Sequence, residues 1–173
     1  MTSFEVIATT HLDAAYSLAR WLTRDSGLAE DVVQDAMVRA LTYFSGFRGE
    51  NPRAWLLQIV RNVAIGKLRP RSAPVSIDSA EPSSGESLAD TLPDGADGPE
   101  TTLEREQDRR RVGELLDRLP IDLRECLVLR EIEECSYKEI AHIIDAPMGT
   151  VMSRLFRARQ MLSDLVDVEE KSR

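Results

Sequence analysis

Apolar residues recur every three to four positions through most of the chain, and no stretch alternates with the two-residue period of a half-buried strand. This pattern predicts an all-α fold. In the first part, helices are expected from about Phe4 to Leu22, from near Leu28 to Phe44, and from the "NPRAW" stretch to about Leu68. Glu30 and Asp31 are placed in the first turn of the second helix, where the dipole favours negative charge. Asn51 is a plausible N-cap for the third, Pro52 suits its first helical position, and Pro70 stops it. In the second part, helices are expected over about 101–118, 121–132 and 136–144, followed by a long one capped by Thr150 and running to about Val166. "SYKE" from Ser136 to Glu139 reads as a capping box. The short helix, the "DAPMG" turn and the long helix make a helix-turn-helix pattern. Asp145 in that turn tolerates a left-handed backbone.

Projection at about 100° per residue assigns faces. On the last helix Val151, Leu155, Ala158 and Leu162 face a core. Ser153, Phe156, Arg157 and Gln160 share the opposite face, with Arg154 and Arg159 at its edges. Residues 147–162, "PMGTVMSRLFRARQML", hold three arginines and no acid. Donors at the centre of a helix face and cations at its flanks suit a duplex major groove, and an exposed ring can pack on a thymine methyl. A merely solvated helix is the alternative, but such a face should carry some Glu or Asp. On the third helix Trp55, Leu56, Ile59, Val60 and Val63 form the buried face. Gln58, Arg61, Asn62, Ile65 and Arg69 point away, within an acid-free run from 51 to 77. A basic face carrying an Asn suits nucleic acid, and simple solvation is again an alternative. The second helix buries Val33, Ala36, Met37, Ala40 and Phe44. It exposes Asp31, Gln34, Asp35, Val38 and Thr42, a stripe that suits a basic protein surface or plain solvent.

The pattern lapses between 73 and 100, where Pro, Ser, Gly and Asp dominate. That stretch reads as a flexible linker between a unit at 1–72 and a unit at 101–173. Charge sharpens the division. The 173-residue chain has a net charge of −8. Residues 1–72 carry nine basic and seven acidic side chains, residues 73–108 one and ten, and residues 109–173 twelve and thirteen. The acidity is therefore concentrated in the middle. No apolar run is long enough to span a bilayer, and the N-terminus does not read as a secretory signal. Cys126 and Cys135 are expected to be reduced thiols, Cys126 in the core and Cys135 more exposed. Two histidines without a Cys-x-x-C give little support to a metal, and no cofactor is implied. No phosphate loop or catalytic constellation suggests an enzyme, and the expected setting is the cytoplasm.

Three motifs, "AEDVVQDAMVRAL", "FRGENPRAWLLQIVRN" and "LPIDLRECLVLREIEECSYKEIAHIIDAPMGTVMSRLFRARQML", occur in this order. Together they resemble the bacterial sigma factors of the extracytoplasmic-function group, most closely the envelope-stress, sigma-E-like branch. The resemblance implies a first unit (region 2) that docks on the β′ clamp helices of core RNA polymerase through Asp31, Gln34 and Asp35. It implies that this unit melts and reads a minus-10 element, with Phe47 and Asn62 at an extruded base and its neighbours and Arg61, Lys67 and Arg69 on the backbone. The second unit (region 4) would contact the β flap and read a minus-35 duplex through Ser153, Phe156 and Arg157, with Thr150, Arg154 and Arg159 on phosphates. The free chain is expected to be a monomer held by an anti-sigma factor.

Two positions depart from the family pattern. Met152 stands where many members have a basic residue. Gly66 replaces an Asp common in the third helix, so that helix is expected to end or bend early. The acidic linker is expected to lie in the polymerase channel and to suppress DNA binding by the free chain. A stand-alone helix-turn-helix regulator would share the basic helix, but no dimerising heptad is evident. An adaptor that binds polymerase without DNA would leave the arginine face unexplained.

Overall fold

A computed structural model of the chain describes residues 3–69 and 99–173. Among these residues the regular structure is helical throughout: α1 Phe4–Thr23, α2 Ser26–Tyr43, α3 Pro52–Leu68, α4 Pro99–Asp117, α5 Ile121–Leu127, α6 Tyr137–Ile144 and α7 Met148–Lys171. A single 3₁₀ turn at Phe44–Gly46 follows α2. The expected linker at 73–100, with the role given to its charge, lies almost wholly outside the described residues; α4 begins within its last two positions. No described helix is long and apolar enough to cross a membrane.

Local chemistry explains most of the helix ends. Ser3 caps α1 by accepting from the Val6 N–H. Asp25 caps α2, its Oδ1 accepting from Leu28 N at 2.8 Å. The helix therefore opens at Ser26, earlier than expected, and Glu30 and Asp31 lie beyond its first turn. Asn51 caps α3 as expected, accepting from Ala54 N at 3.1 Å, with Pro52 at the helix start. The expected capping box of α6 is complete. Glu139 N donates to Ser136 Oγ at 3.1 Å, and Ser136 N donates to Glu139 Oε1 at 3.0 Å. Asp145 ends α6 in the left-handed region, with φ 53° and ψ 56°. Two boundaries are corrected. Thr150 is not the N-cap of α7, because Pro147 already sets the entry angle; Thr150 is the third helical residue and donates to the Pro147 carbonyl. Gly66 does not end α3, whose last turn closes with Arg69 N donating to Ile65 O at 3.1 Å.

In the first unit α1, α2 and α3 pack mutually. Leu18, Leu22, Val32, Ala36, Leu56 and Val60 are fully buried there. In the second, α5, α6 and α7 enclose Leu123, Leu129, Ile140, Ile143, Val151 and Leu155. A single π turn, Val128–Ile132, extends α5, closing with Glu133 N donating to Val128 O at 3.0 Å. Arg130 fixes the chain that follows. It donates to the Cys135 carbonyl at 2.9 Å, and its guanidinium lies 4.8 Å from the Tyr137 ring centre. The two units do not stand apart. α3 lies along α6, α1 meets α5, and the buried residues of both units form one continuous apolar cluster.

Candidate nucleic-acid interface

The face of α7 matches the helical projection. Val151, Leu155 and Ala158 are buried and Leu162 half-buried, so the opposite side must look outward. Ser153, Arg157 and Gln160 are exposed, and Phe156 is 69% exposed, well beyond what an ordinary core-forming aromatic shows. Met148 and Met152 extend this apolar-tipped surface towards the helix start. Arg159 is exposed and its Nη2 lies 3.1 Å from Glu131 Oε1. Arg154 leans inward, its Nη1 3.8 Å from Glu125 Oε1. Thr150 is half-buried.

α2 presents Asp31, Gln34 and Asp35 outward together with Val38, Leu41 and Tyr43, all well exposed. Acidic and apolar side chains thus share one stripe. Asp35 is already engaged: its Oδ2 lies 2.9 Å from Lys67 Nζ, and that ammonium holds its carboxyl below the ordinary value.

The outer face of α3 departs from expectation. Phe47 is half-buried, its ring 4.6 Å from Trp55 and 6.2 Å from Phe44, centre to centre. Asn62 is exposed and accepts from Arg61 Nη1 at 3.3 Å. Arg61, Asn62, Ile65, Gly66 and Arg69 line a shallow groove of about 200 Å³. Trp55, against which Phe47 packs, and Asn62 are separated by about 10 Å of helix rise along α3. Nor is Arg61 an open cation. Its Nε and Nη2 donate to Glu125 Oε2 and Oε1 at 2.8 and 3.0 Å, a fork-on-fork pair. Glu125 raises the Arg61 pKa above its ordinary value, outweighing the effect of burial. Gln58, expected on the open side, donates to the His142 carbonyl at 3.1 Å. The second unit therefore engages Gln58 and Arg61 on the surface that the periodicity of α3 marked as outward, while Asn62 and Arg69 stay exposed.

Further bonds join the units along the same seam. Arg53 donates to the Glu133 carbonyl, lies 3.3 Å from its carboxylate and reaches Cys135 Sγ at 3.7 Å. Asn51 Nδ2 donates to Glu139 Oε2 at 3.0 Å, and Arg24 Nε meets Asp117 Oδ1 at 2.7 Å. Burial raises the Glu133 carboxyl above the usual range, against the opposing effects of Ser17 and Arg53. Cys135 is as buried as Cys126, not more exposed, because Arg53 and the turn around Glu134 enclose it. Burial pushes both thiols up to about 11.

Sequence reasoning passed over Glu125 and Glu133. One signal was available: Glu125 sits inside the run "LRECLVL", where helical period puts it among buried positions, and a buried carboxylate needs a partner.

Fold and surface together define a two-part all-helical protein whose second part is a helix-turn-helix with an outward basic helix. Comparison with known proteins narrows the class. Sigma-70 region 2 matches residues 7–73, and sigma-70 region 4 matches residues 109–162. The ECF RNA polymerase sigma-E factor of Escherichia coli strain K12 is 37% identical over 148 residues, covering 82% of this chain and 75% of that protein. The RNA polymerase sigma-H factor of Pseudomonas aeruginosa is 31% identical over 166 residues, covering 92% of this chain and 84% of that one. Among solved structures, the sigma factor RpoE of Bartonella quintana, in complex with the anti-sigma factor NepR, superposes with a TM-score of 0.69 at 26% identity, covering 95% of this chain and 97% of that one. CnrH, in complex with the cytosolic domain of CnrY, gives 0.66 at 25% identity, covering 95% and 88%. The chain belongs to the extracytoplasmic-function (ECF) group of sigma-70-family RNA polymerase sigma factors. It is accordingly a transcription initiation factor that works with core RNA polymerase at promoters, not a stand-alone regulator.

Proposed function

We propose that this chain divides promoter recognition between its units: residues 1–72 dock on core polymerase and open the minus-10 element, and residues 101–173 read the minus-35 duplex. Residues 73–100 are the tether between them. The observation that carries the reading is α7, a helix with a buried apolar side and an exposed face of Ser153, Phe156 and Arg157 flanked by Arg154 and Arg159. Its central donors suit base edges and its flanking guanidinium groups suit phosphates. Thr150 serves a phosphate from the groove-proximal end. On α2, Asp31, Gln34 and Asp35 are the polymerase contacts, with Val38 as apolar anchor, facing the β′ clamp helices; the β flap meets the second unit. Phe47 and Asn62 hold bases of the melted strand, while Arg61, Lys67 and Arg69 follow its phosphates. The chain contributes binding energy and performs no covalent chemistry of its own, acting as a monomer in the cytoplasm.

The superposing sigma factor RpoE of Bartonella quintana was solved with the anti-sigma factor NepR, which supports control of this chain by a protein of that kind. Run-off transcription with purified core polymerase tests the reading. New start sites sharing two upstream elements are expected with the wild type, and Arg157→Ala should abolish those that depend on the upstream element. Equal transcription by Arg157→Ala would withdraw the minus-35 assignment.

A further inference from the structure

Three large apolar side chains stand in a row on the outside of α7. Met148 is 44% exposed, Met152 50% and Phe156 69%, and they follow one another at four-residue intervals, each about one turn along from the last. A single apolar residue in solvent is ordinary, but a row of them along one helix is not. No acid shares the stretch 147–162, and the exposed donors Ser153 and Arg157 lie beside Met152 and Phe156. Gly149, also exposed, sits at the start of the same surface. A Cβ built there meets nothing within 4 Å, so nothing inside the chain calls for the glycine, and the first turn of α7 is left bare towards the outside. The row therefore runs into the surface proposed to enter the major groove. Met152 offers no donor and only a weak acceptor, so its natural partner there is apolar. Along the major-groove edges of the four base pairs, the apolar feature is the 5-methyl group of thymine. Met152 and Phe156 are separated by about 6 Å of helix rise, the span of about two base-pair steps.

We infer that Met152 is a specificity-determining residue of the minus-35 contact, its thioether arm packing on the 5-methyl group of a thymine one or two base pairs from the pair that Phe156 touches. The inference rests on the proposed entry of α7 into the duplex, and it names the base that the start of this helix selects. An unbranched methionine side chain adapts to the position of a methyl group, as a rigid ring does not. Removing one methyl from such a contact corresponds to about fourfold in affinity. The contact separates thymine from cytosine, and thymine from uracil in an otherwise identical pair, without any hydrogen bond. A Met152 that rested on a sugar instead would not register the base at all.

The test uses holoenzyme reconstituted from the full chain and core polymerase, on a promoter fragment recovered by run-off transcription. Each thymine of the upstream element is replaced in turn by deoxyuridine, which keeps the base pair and removes only the 5-methyl group. Binding is measured for holoenzyme carrying wild type, Met152→Ala or Arg157→Ala. Wild type is expected to lose about fourfold at the thymine beneath Met152. Met152→Ala changes an exposed helical position and leaves the core untouched. It should bind the unmodified promoter about fourfold more weakly than wild type and show no further loss with uracil at that position. Uracil beneath Phe156 should affect both proteins alike. With 5-methylcytosine in place of that thymine, wild type should bind more tightly than with cytosine, and Met152→Ala should bind the two equally. An upstream element without thymine, or one in which no uracil weakens wild type, would overturn the inference. So would a Met152→Ala protein that keeps every uracil response of wild type, since the methyl contacts would then belong to Phe156 alone. Arg157→Ala separates this failure from that of the underlying reading. If it binds like wild type, the assignment of α7 to the duplex falls; if it binds weakly while no uracil matters, only the role of Met152 falls.

Discussion

Neighbouring residues of α7 separate recognition from stability. Leu155 is 1% exposed, while Phe156 projects to the opposite side. Truncating Leu155 to Ala removes three buried carbons and leaves a cavity that its neighbours fill only in part, at a cost of about 3 kcal/mol. For a chain of this size each kcal/mol moves the melting temperature by about 2–4 °C, so Leu155→Ala should melt about 6–12 °C lower. Phe156→Ala removes a larger side chain, yet most of that ring already meets solvent, so its melting temperature should stay within about 2 °C of wild type. Binding should order them the other way. Loss of a base-edge contact costs about 1–3 kcal/mol, or about 5- to 150-fold in affinity. Phe156→Ala should thus bind its minus-35 duplex at least about fivefold more weakly. Leu155→Ala, measured well below its own transition, should bind within about twofold of wild type. Differential scanning fluorimetry and fluorescence anisotropy on the same preparations give both quantities. A Phe156→Ala protein that melts far below wild type and binds normally would refute the assignment of the two faces.

Gly66 offers a gain. A Cβ built there meets nothing within 4 Å, and the helix continues through it, so Gly66→Ala should stabilise the chain by about 1 kcal/mol in chemical denaturation. Destabilisation would show that the glycine relieves a close approach. Glu139 is held below its ordinary pKa of 4.5, first by the Asn51 amide and then by the Ser136 backbone N–H. A lowered carboxyl contributes stability that is present above its unfolded-state value and is lost as pH falls through the folded value. Wild type should therefore lose more stability than Glu139→Gln between about pH 5 and pH 3. Parallel loss in the two proteins would remove this carboxylate from the acid response. Cys126 and Cys135, buried and raised to about 11, should react slowly with a thiol-specific dye at neutral pH and rapidly in denaturant. Rapid modification of native protein would show that the seam around Cys135 opens readily.

Much of this was legible because it is local. The cap at Asn51, the capping box of Ser136 and Glu139, the left-handed Asp145 and the two faces of α7 each depend on a handful of adjacent residues. The early start of α7 was missed because Pro147 and Thr150 both signal a helix start, and only the backbone shows that the proline acts first. The misreading of the α3 surface has a different origin. Helical periodicity states which residues leave their own core; it is silent on what arrives from elsewhere in the chain. Arg61 and Glu125 are 64 residues apart, across the acidic segment, and nothing near Arg61 in sequence announces its partner. Cys135 was misplaced for the same reason, since Arg53 of the other unit helps to cover it.

The acids that neutralise these cations are themselves informative. Lys67, proposed to follow the minus-10 strand, is bound to Asp35, proposed to meet polymerase. If both roles hold, polymerase and promoter are linked through one ion pair: a polymerase cation that captures Asp35 leaves Lys67 for phosphate. Both side chains are well exposed, so the linkage must be modest and salt-sensitive. Asp35→Asn should weaken polymerase binding while tightening single-strand binding by the free chain about twofold at low salt. The added positive charge would raise affinity for any polyanion, so the gain must be tested in a Lys67→Gln background. Partner exchange requires it to disappear there, whereas a general charge effect leaves it intact. A gain that survives in the double variant would reduce the pair to surface neutralisation.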